Sequence, residues 1–320
     1  MNKVAHGFRL REHLQRLLTN ALQLANGLRW PTMAVIFMAG CAGNVAEFNG
    51  ADAPQFVAFA ADQRPRVALV LGAGGPRGFA HVGVLKVLEA NGIEADLVVG
   101  ASVGSLIGTL YANGMKAAEI EKIALDIDPL RFIIVSTSGL AGNGRALQNF
   151  ISDQTGAKPI EGFNRKLAIV AARRDNNELA VFTKGNTAAA VRASSASPGQ
   201  FAPVRIRGVE YHDGDEAQPV PSRIARELGA LVVIAVDVSA YLERTPPSVP
   251  EAWKKRDQKR TGLIAAERNL ADVFIHPDLD YYASISHAYR LKCIARGEAA
   301  AKAALPQIAE ALKKLGAAGK

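Results

Sequence analysis

Residues 97–114 read LVVGASVGSLIGTLYANG and join an apolar run to a segment of helical spacing through one serine. The apolar run predicts a buried strand, and the segment after the serine predicts a helix that ends at Asn-Gly. Ser102 lies between them, in the pattern Gly-x-Ser-x-Gly. Small residues at the flanking positions, here Gly100 and Gly104, permit a sharp turn that exposes the serine hydroxyl. We therefore predict a nucleophile elbow; a serine that only caps the helix is the alternative.

A strand and a glycine-rich loop precede this elbow. Residues 66–78 read RVALVLGAGGPRG, and apolar side chains then follow at helical intervals. Strand, loop, helix, strand, elbow and helix over residues 66–114 predict a repeated β-loop-α unit with parallel strands. The predicted fold class is α/β, with three α/β/α layers and a mainly parallel central sheet.

The remaining residues continue this pattern within one domain, residues 65–320. Further strands are predicted over residues 166–174, 178–185, 230–239 and 271–277, with a hairpin over residues 204–215. Helices are predicted over residues 186–197 and 284–315. The polar residues 241–260 are predicted to form an exposed insertion.

The amino-terminal residues resemble a bacterial lipoprotein signal. A basic stretch leads into MAVIFMAG and then Cys41. About ten apolar residues are too few to span a membrane, but they suit the core of a signal peptide. We predict a lipoprotein signal peptide over residues 1–40 and a flexible tether over residues 41–64. The alternative is a short amphipathic helix in which Cys41 is incidental.

The lipobox resemblance implies a lipidated Cys41 and a membrane anchor, since two or more acyl chains give stable anchoring. Ala42 after the cysteine implies an outer-membrane lipoprotein of the bacterial cell envelope that faces the periplasm. Of the formal charge of +8, residues 1–40 carry five basic residues and one acidic residue, which leaves +4 on the rest. Cys293 is then the only other cysteine, so an internal disulfide framework is excluded.

The glycine-rich loop does not match a nucleotide-binding motif. A Walker loop ends in Gly-Lys-Ser or Gly-Lys-Thr, but Phe follows Gly78. A dinucleotide fingerprint that begins at Gly72 needs glycine where this chain has Arg77. What remains is a row of backbone N–H groups at a helix start, which stabilises an anion or a developing oxyanion. Because Pro76 has no N–H, the candidate donors are Gly74, Gly75, Arg77 and Gly78, with Gly74 and Gly75 preferred.

The serine needs a base, and two arrangements remain open. His276 follows a predicted strand and combines with Asp237 in a Ser, acid, His order. Asp213, in His-Asp-Gly-Asp, is the competing base if it bonds directly to the serine hydroxyl. A plain turn at Asp213-Gly214 is the structural alternative.

Four motifs in order resemble the patatin-like phospholipase family, namely AGGPRG, GASVG, ASSASPGQFAPV and DGD. The resemblance runs from about residue 66 to the carboxyl end and implies a patatin-like hydrolase fold. It implies a Ser/Asp dyad with Ser102 as nucleophile, Asp213 as base, and residues 74–78 as oxyanion hole with Arg77 as its basic residue. Asp215 departs from the family, which usually has Gly or Ala there. A second carboxylate either raises the pKa of Asp213 or faces solvent.

We therefore expect a serine acyl-hydrolase that cleaves phospholipids or lysophospholipids, with no metal or organic cofactor and no nucleic-acid partner. The alternatives are an esterase with a Ser102, Asp237, His276 triad and a catalytically idle lipid-binding lipoprotein. Residues 253–260 form a basic cluster with one tryptophan. We expect a solvated insertion there, and contact with anionic lipid head groups is the alternative.

Overall fold

A computed structural model describes residues 45–60, 62, 64–128 and 144–318. The predicted signal peptide, residues 1–40, and the predicted lipidation site Cys41 lie outside these described residues. None of the described helices has the length and apolar character needed to cross a membrane.

A mainly parallel sheet, with nine strands in the described residues, forms the centre of the domain. The strands are β1 Ala46–Phe48, β2 Val67–Leu71, β3 Leu97–Ala101, β4 Lys166–Arg173, β5 Leu179–Phe182, β6 Val204–Ile206, β7 Val209–Asp213, β8 Val232–Val236 and β9 Val273–Ile275. Their order is β1-β6-β7-β4-β3-β2-β8-β9, and β5 pairs with β4. Five consecutive strands of this order, β4-β3-β2-β8-β9, are parallel, so their carboxyl ends meet at one edge of the sheet.

Helices cover both faces of this sheet. In the part of the chain that the structure describes they are α1 Phe79–Ala90, α2 Val103–Ala112, α3 Ala117–Asp126, α4 Arg145–Thr155, α5 Thr187–Ser194, α6 Ser222–Glu227, α7 Glu251–Arg268 and α8 His287–Ala318. Leu69 and Leu71 of β2 pack with the side chains of α1, α2, α3 and α8. Ala68 and Val70 of the same strand pack on the opposite face with α6 and Ile264 of α7. The predicted three-layer α/β/α fold is confirmed.

Part of the predicted flexible tether belongs to the folded domain. Ala46–Phe48 pairs in parallel with β6, and Gln55 forms a bridge with Lys184. Ala53 is 1% exposed. Over residues 45–60 the tether prediction is therefore wrong, because this segment completes one sheet edge and buries apolar surface.

The second half of the predicted exposed insertion, residues 251–260, is mostly exposed, and it starts the 18-residue helix α7. Ile264 and Glu267 are its buried residues. A helix with so few apolar contacts has no 3.6-residue hydrophobic period, and this period is the signal by which a helix is predicted.

Candidate active site

Strand β4 brings the elbow and the acid strand together. Its residues Lys166–Val170 pair with β3, and Ala171–Arg173 pair with β7. Strand β5 pairs with Ile169–Ala172 and overlaps both of these segments, so it occupies the opposite edge of β4. Strands β3 and β7 therefore lie end to end along one edge, with Ser102 following β3 and Asp213 ending β7.

The elbow holds Ser102 in a strained backbone conformation, with φ 52° and ψ −125°. Few side chains other than glycine adopt positive φ, and such strain costs about 1–3 kcal/mol. A Cβ at Gly100 would lie 2.5 Å from the Cα of Ser105, and a Cβ at Gly104 would lie 1.9 Å from the carbonyl oxygen of Leu71. Both glycines are thus required by close backbone contacts, and the predicted elbow geometry is present.

Hydrogen bonds fix the strained serine on both sides. Its N–H donates to Ser194 Oγ at 2.9 Å, and that hydroxyl donates to the carbonyl oxygen of Val170 at 2.6 Å. Ser105 Oγ donates to the carbonyl oxygen of Ser102 at 2.6 Å. Because the Ser102 N–H is occupied, it does not serve as an oxyanion donor in this arrangement.

The hydroxyl of Ser102 is joined directly to the carboxylate of Asp213. Ser102 Oγ donates to Asp213 Oδ2 at 2.8 Å, and the N–H of Asp215 donates to Asp213 Oδ1 at 2.9 Å. Asp213 is 4% exposed. Burial, aided by the charge of Asp215, raises the pKa of Asp213 to about 7 despite these two hydrogen bonds. A carboxylate with this pKa accepts a proton far more readily near neutral pH than an ordinary aspartate does.

Asp215 is engaged by an arginine that sequence reasoning did not assign. Arg260 Nε donates to Asp215 Oδ1 at 2.7 Å, and its Nη2 donates to the carbonyl oxygen of Ala73 at 2.9 Å. Burial lowers the pKa of Arg260, but the charges of Asp215, Asp237 and Asp213 outweigh it, so the net pKa is raised. Arg260 thereby ties the acid turn to the start of the glycine loop.

The glycine loop offers two unoccupied amides beside the dyad. Among the described residues, no group accepts a hydrogen bond from the N–H of Gly74 or Gly75. The N–H of Arg77 donates to the carbonyl oxygen of Gly74 at 3.2 Å, and its role as an oxyanion donor stays a prediction. The Arg77 guanidinium donates to the backbone carbonyls of Asp280, at 3.0 Å, and Tyr281.

Gly78, the last predicted donor, ends the short 3-10 turn of Gly75–Gly78 and is buried. A Cβ at this position would lie 2.4 Å from a methyl group of Val103. The side chain of Val103 thus lies directly against the loop, and the absence of a side chain at Gly78 allows loop and elbow to touch.

His81 is a second residue that sequence reasoning left without a role. It is fully buried in α1, and its Nε2 lies 2.9 Å from the carbonyl oxygen of Gly72. Burial lowers the pKa of His81 to about 4, so the imidazole is neutral and donates from Nε2. This bond fixes the carbonyl at the entrance to the glycine loop.

The rival triad is only partly assembled. His276 Nε2 lies 3.5 Å from Asp237 Oδ2, but it is closer, at 3.0 Å, to the carbonyl oxygen of Ser239. Asp237 accepts hydrogen bonds from the N–H and the hydroxyl of Ser239. In the described residues, no hydrogen bond joins His276 to Ser102, whose hydroxyl is bonded to Asp213.

A cavity of about 540 Å³ opens onto the dyad and the glycine loop. Helices α2, α3 and α4 line one side of it with apolar residues, namely Leu106, Leu110, Ile120, Ile123, Leu147 and Phe150. Arg256 and Arg260 of α7 line it as well. Among the described residues, no group of three or more His, Cys, Asp or Glu side chains is placed to hold a metal ion. The cavity thus combines an apolar wall with a polar end that holds the serine and the acid.

A three-layer α/β fold with a serine elbow, a buried aspartate and a glycine loop defines a class of patatin-like proteins. Residues 69–225 match the family model described as Patatin-like phospholipase. The chain therefore contains a patatin-like phospholipase domain.

Relatives with this domain differ in length and in sequence. An uncharacterized NTE family protein of Mycobacterium tuberculosis is 32% identical over 232 residues, which cover 69% of this chain and 64% of the relative. Lysophospholipase NTE1 of Scheffersomyces stipitis is 27% identical over 257 residues, covering 69% of this chain and 17% of the relative. The chain therefore spans just under two thirds of the first relative and a small part of the second.

The crystal structure of VipD from Legionella pneumophila superposes with a TM-score of 0.50 at 12% sequence identity. The match covers 80% of this chain and 70% of VipD, and it shows a shared fold.

Proposed function

We propose that the chain is a serine acyl-hydrolase that cleaves acyl esters of phospholipids or lysophospholipids through a Ser102/Asp213 dyad. The observation that carries this proposal is the 2.8 Å hydrogen bond from Ser102 Oγ to Asp213 Oδ2 at the polar end of an apolar cavity. A buried hydroxyl bonded to a basic carboxylate is an activated nucleophile.

In the first half of the reaction, Asp213 accepts the proton of Ser102 as Oγ attacks the ester carbonyl carbon. The carbonyl π electrons move to oxygen, and the N–H groups of Gly74 and Gly75 stabilise the oxyanion. The start of α2 lies directly after the serine and adds a favourable field. When the tetrahedral intermediate collapses, the alcohol oxygen leaves and takes the proton from Asp213, which leaves an acyl group on Ser102.

In the second half, Asp213 removes a proton from a water molecule that attacks the acyl carbonyl. The same two amides stabilise the second oxyanion. Collapse expels Ser102 Oγ, which regains its proton from Asp213, and the fatty acid is released. One carboxylate thus acts first as base and then as acid in each half, and its pKa near 7 suits both directions of transfer.

The cavity and the relatives support the proposed substrate class. Side chains from α2, α3 and α4 form an apolar wall that a hydrocarbon chain would cover. The printed name of the fungal relative, lysophospholipase, supports a lysophospholipid or phospholipid ester.

The test compares wild-type protein with Ser102→Ala, Asp213→Asn and His276→Gln. Each protein is assayed with p-nitrophenyl butyrate, with micellar lysophosphatidylcholine and with a fluorophosphonate probe. We expect Ser102→Ala to lose turnover and labelling, and Asp213→Asn to lose about 10³-fold to 10⁴-fold in kcat/KM. We expect His276→Gln to keep its activity within about threefold, as for a residue outside a catalytic unit.

Two outcomes contradict the proposal. Loss of activity in His276→Gln with retention in Asp213→Asn would assign the triad with Asp237. A wild-type protein that shows neither turnover nor labelling at Ser102 would be a lipid-binding protein without catalysis. Circular dichroism of each variant establishes that a loss of activity is not a loss of folding.

We further propose that the protein is anchored through a lipidated Cys41 in the bacterial outer membrane, where it faces the periplasm. The support is the basic and apolar pattern of residues 1–40 and the lipobox-like residues 38–41. Metabolic labelling with palmitate is expected for the wild-type chain and not for Cys41→Ser. Equal labelling of the two chains would overturn the anchor.

A further inference from the structure

Helix α7 presents a basic surface with an exposed tryptophan beside the mouth of the cavity. Its inner side carries Asp257, Arg260 and Ile264, which are buried or half-buried. Its outer side carries Lys255 and Lys259, which are exposed and lie one helical turn apart. Trp253 is 44% exposed although it is the largest apolar residue of the helix. The outer side of α7 therefore carries a stripe of positive charge.

The outward charge of this stripe is not cancelled locally. Among the described residues, no acidic side chain lies within ion-pair distance of Lys255 or Lys259. Asp257 pairs with Arg256 at 2.8 Å and accepts a hydrogen bond from Tyr281 Oη at 2.7 Å, with only 16% of its side chain exposed.

Arg256 joins the outer surface to the cavity. Its side chain is 59% exposed, and it also lines the cavity that holds Ser102. Its guanidinium lies 5.4 Å from the ring centre of Trp253, a cation–π contact that keeps both side chains at the same place. Trp253 and Arg256 therefore lie beside the cavity that holds Ser102, and Lys255 and Lys259 extend the basic surface along the outer side of α7.

A second exposed aromatic residue lies on the loop that is fastened to α7. Tyr281 lines the cavity and bonds to Asp257, and its ring lies 5.1 Å from that of Tyr282 in an edge-to-face contact. Tyr282 is 58% exposed. We name Trp253, Lys255, Arg256, Lys259 and Tyr282 the rim surface.

We propose that the rim surface docks on an anionic lipid bilayer and turns the mouth of the cavity toward it. Tryptophan and tyrosine favour the interface between water and hydrocarbon, where an apolar ring and a polar atom are both satisfied. Lysine and arginine next to them attract anionic lipid head groups. This proposal rests on the lipid hydrolase function for its purpose, but the docking itself does not require catalysis.

The other polyanion that this charge fits is nucleic acid. A nucleic-acid site would use the cations alone or stack bases on the aromatics. It would have no need of a position at the mouth of an apolar cavity. Trp253 and Tyr282 contact two residues that line the cavity, Arg256 and Tyr281, and this position favours the bilayer.

The experiment measures binding to vesicles with the full chain carrying Cys41→Ser and Ser102→Ala, so that neither an acyl anchor nor turnover contributes. Vesicles of phosphatidylcholine alone or mixed with phosphatidylglycerol are sedimented with this protein and with three variants of it. These are Lys255→Glu/Lys259→Glu, Trp253→Ala, and the control Lys184→Glu/Lys313→Glu, which makes the same change of charge at exposed positions outside the rim surface.

We expect binding to the mixed vesicles to exceed binding to phosphatidylcholine vesicles. Lys255→Glu/Lys259→Glu should lower the partition coefficient by about 30-fold, and Trp253→Ala by about tenfold. The control double variant should change it by less than about threefold. In the Ser102-containing chain, the first variant should lose activity on the vesicles but keep activity on p-nitrophenyl butyrate, because neither lysine lines the cavity.

Equal losses in the control and rim variants would overturn the proposal, since only net charge would then matter. Binding that is the same for both kinds of vesicle would overturn it as well. Tight binding of duplex DNA that is lost in Lys255→Glu/Lys259→Glu, with vesicle binding unchanged, would assign the surface to nucleic acid. If the hydrolase proposal fails, these binding results can still be interpreted, because the protein that is sedimented carries Ser102→Ala and catalyses no turnover.

Discussion

The elbow and the acid turn meet at one hydrogen bond, but different forces hold them in place. The elbow, Leu97–Ala112 around Ser102, is fixed by backbone contacts at Gly100 and Gly104. The acid turn, Asp213–Glu216, is fixed by charge, through an ion pair with Arg260 that is 45 residues away in sequence. Steric contact therefore determines the position of the nucleophile, and burial together with the charge of Asp215 determines the basicity of its partner. Substitutions in the elbow should therefore act through steric contacts, and substitutions in the acid turn should act through the pKa of Asp213.

The largest effect is expected in the elbow, from Gly104→Ala. The added Cβ would lie 1.9 Å from the carbonyl oxygen of Leu71, and backbone on both sides of this contact has little freedom to move. Overpacking against backbone should lower the free energy of unfolding by about 3 kcal/mol or more. Urea unfolding followed by circular dichroism measures this loss. A variant with the wild-type midpoint and full activity would show that the steric account of the elbow is wrong.

In the acid turn, Asp213→Asn should stabilise the protein at alkaline pH while it abolishes most activity. The pKa of Asp213 is about 7 in the folded chain, whereas an aspartate in an unfolded chain has a pKa of about 3.9. The folded state binds this proton more tightly, so the contribution of Asp213 to stability is lost as pH rises through about 7. Asparagine has no proton to lose and avoids this destabilisation.

We expect the variant to gain on the order of 2–4 kcal/mol over wild type between about pH 5 and about pH 8. Urea unfolding at these two pH values measures the gain, and Asp153→Asn, at an exposed position of α4, is the control for the change of residue type. If the difference in the free energy of unfolding between variant and wild type were the same at both pH values, then the pKa of Asp213 would not be raised in the folded chain.

The same contrast explains what could be predicted from the sequence. Local patterns fixed the expectation for the elbow, because Gly100 and Gly104 act on neighbours within a few residues. Asp213 was found through the order of motifs and not through its spacing from Ser102. The parallel strands were predicted because their runs are continuous and apolar.

The features that were missed depend on contacts between distant segments. Arg260 lies in a polar stretch without hydrophobic periodicity, so nothing local indicates that it pairs with Asp215 and bonds to Ala73. His81 lies on an apolar helix face, and only its bond to Gly72 gives it a role. Residues 45–60 are rich in small and polar residues, and their place at the sheet edge requires β6 to be present.

Smaller effects are expected from the ion pair between Asp215 and Arg260 in the acid turn, and substitutions of its two members should shift the pKa of Asp213 in opposite directions. Asp215→Asn removes a carboxylate that raises the pKa of Asp213 and leaves the charge of Arg260 without its partner, so both changes lower that pKa. Arg260→Met removes the cation and should raise the pKa. The acidic limb of kcat/KM should therefore move down in the first variant and up in the second, by about one pH unit each.

The measurement is kcat/KM for p-nitrophenyl butyrate across the pH range in which the dyad titrates. Arg260→Lys keeps the charge and should restore the wild-type limb, which separates the effect of charge from a loss of folding. Shifts of the two variants in the same direction would rule out electrostatic control of Asp213 by this pair.

The smallest effect is expected from Gly262→Ala, which makes the same chemical change as Gly104→Ala in a different environment. Gly262 lies in α7 and is exposed, and no heavy atom of the described residues lies within 4 Å of an added Cβ. Alanine should therefore raise the free energy of unfolding by about 0.5–1 kcal/mol through its higher helix propensity, without a change in kcat/KM. Both variants are measured by urea unfolding under the same conditions. Opposite changes in the free energy of unfolding at positions 104 and 262 would show that the loss at Gly104 comes from its contact with backbone and not from the replacement of glycine in general. If both variants lost stability equally, then the tight contact at the elbow would not be what distinguishes position 104, and the contrast between a sterically fixed nucleophile and an electrostatically tuned base would have to be abandoned.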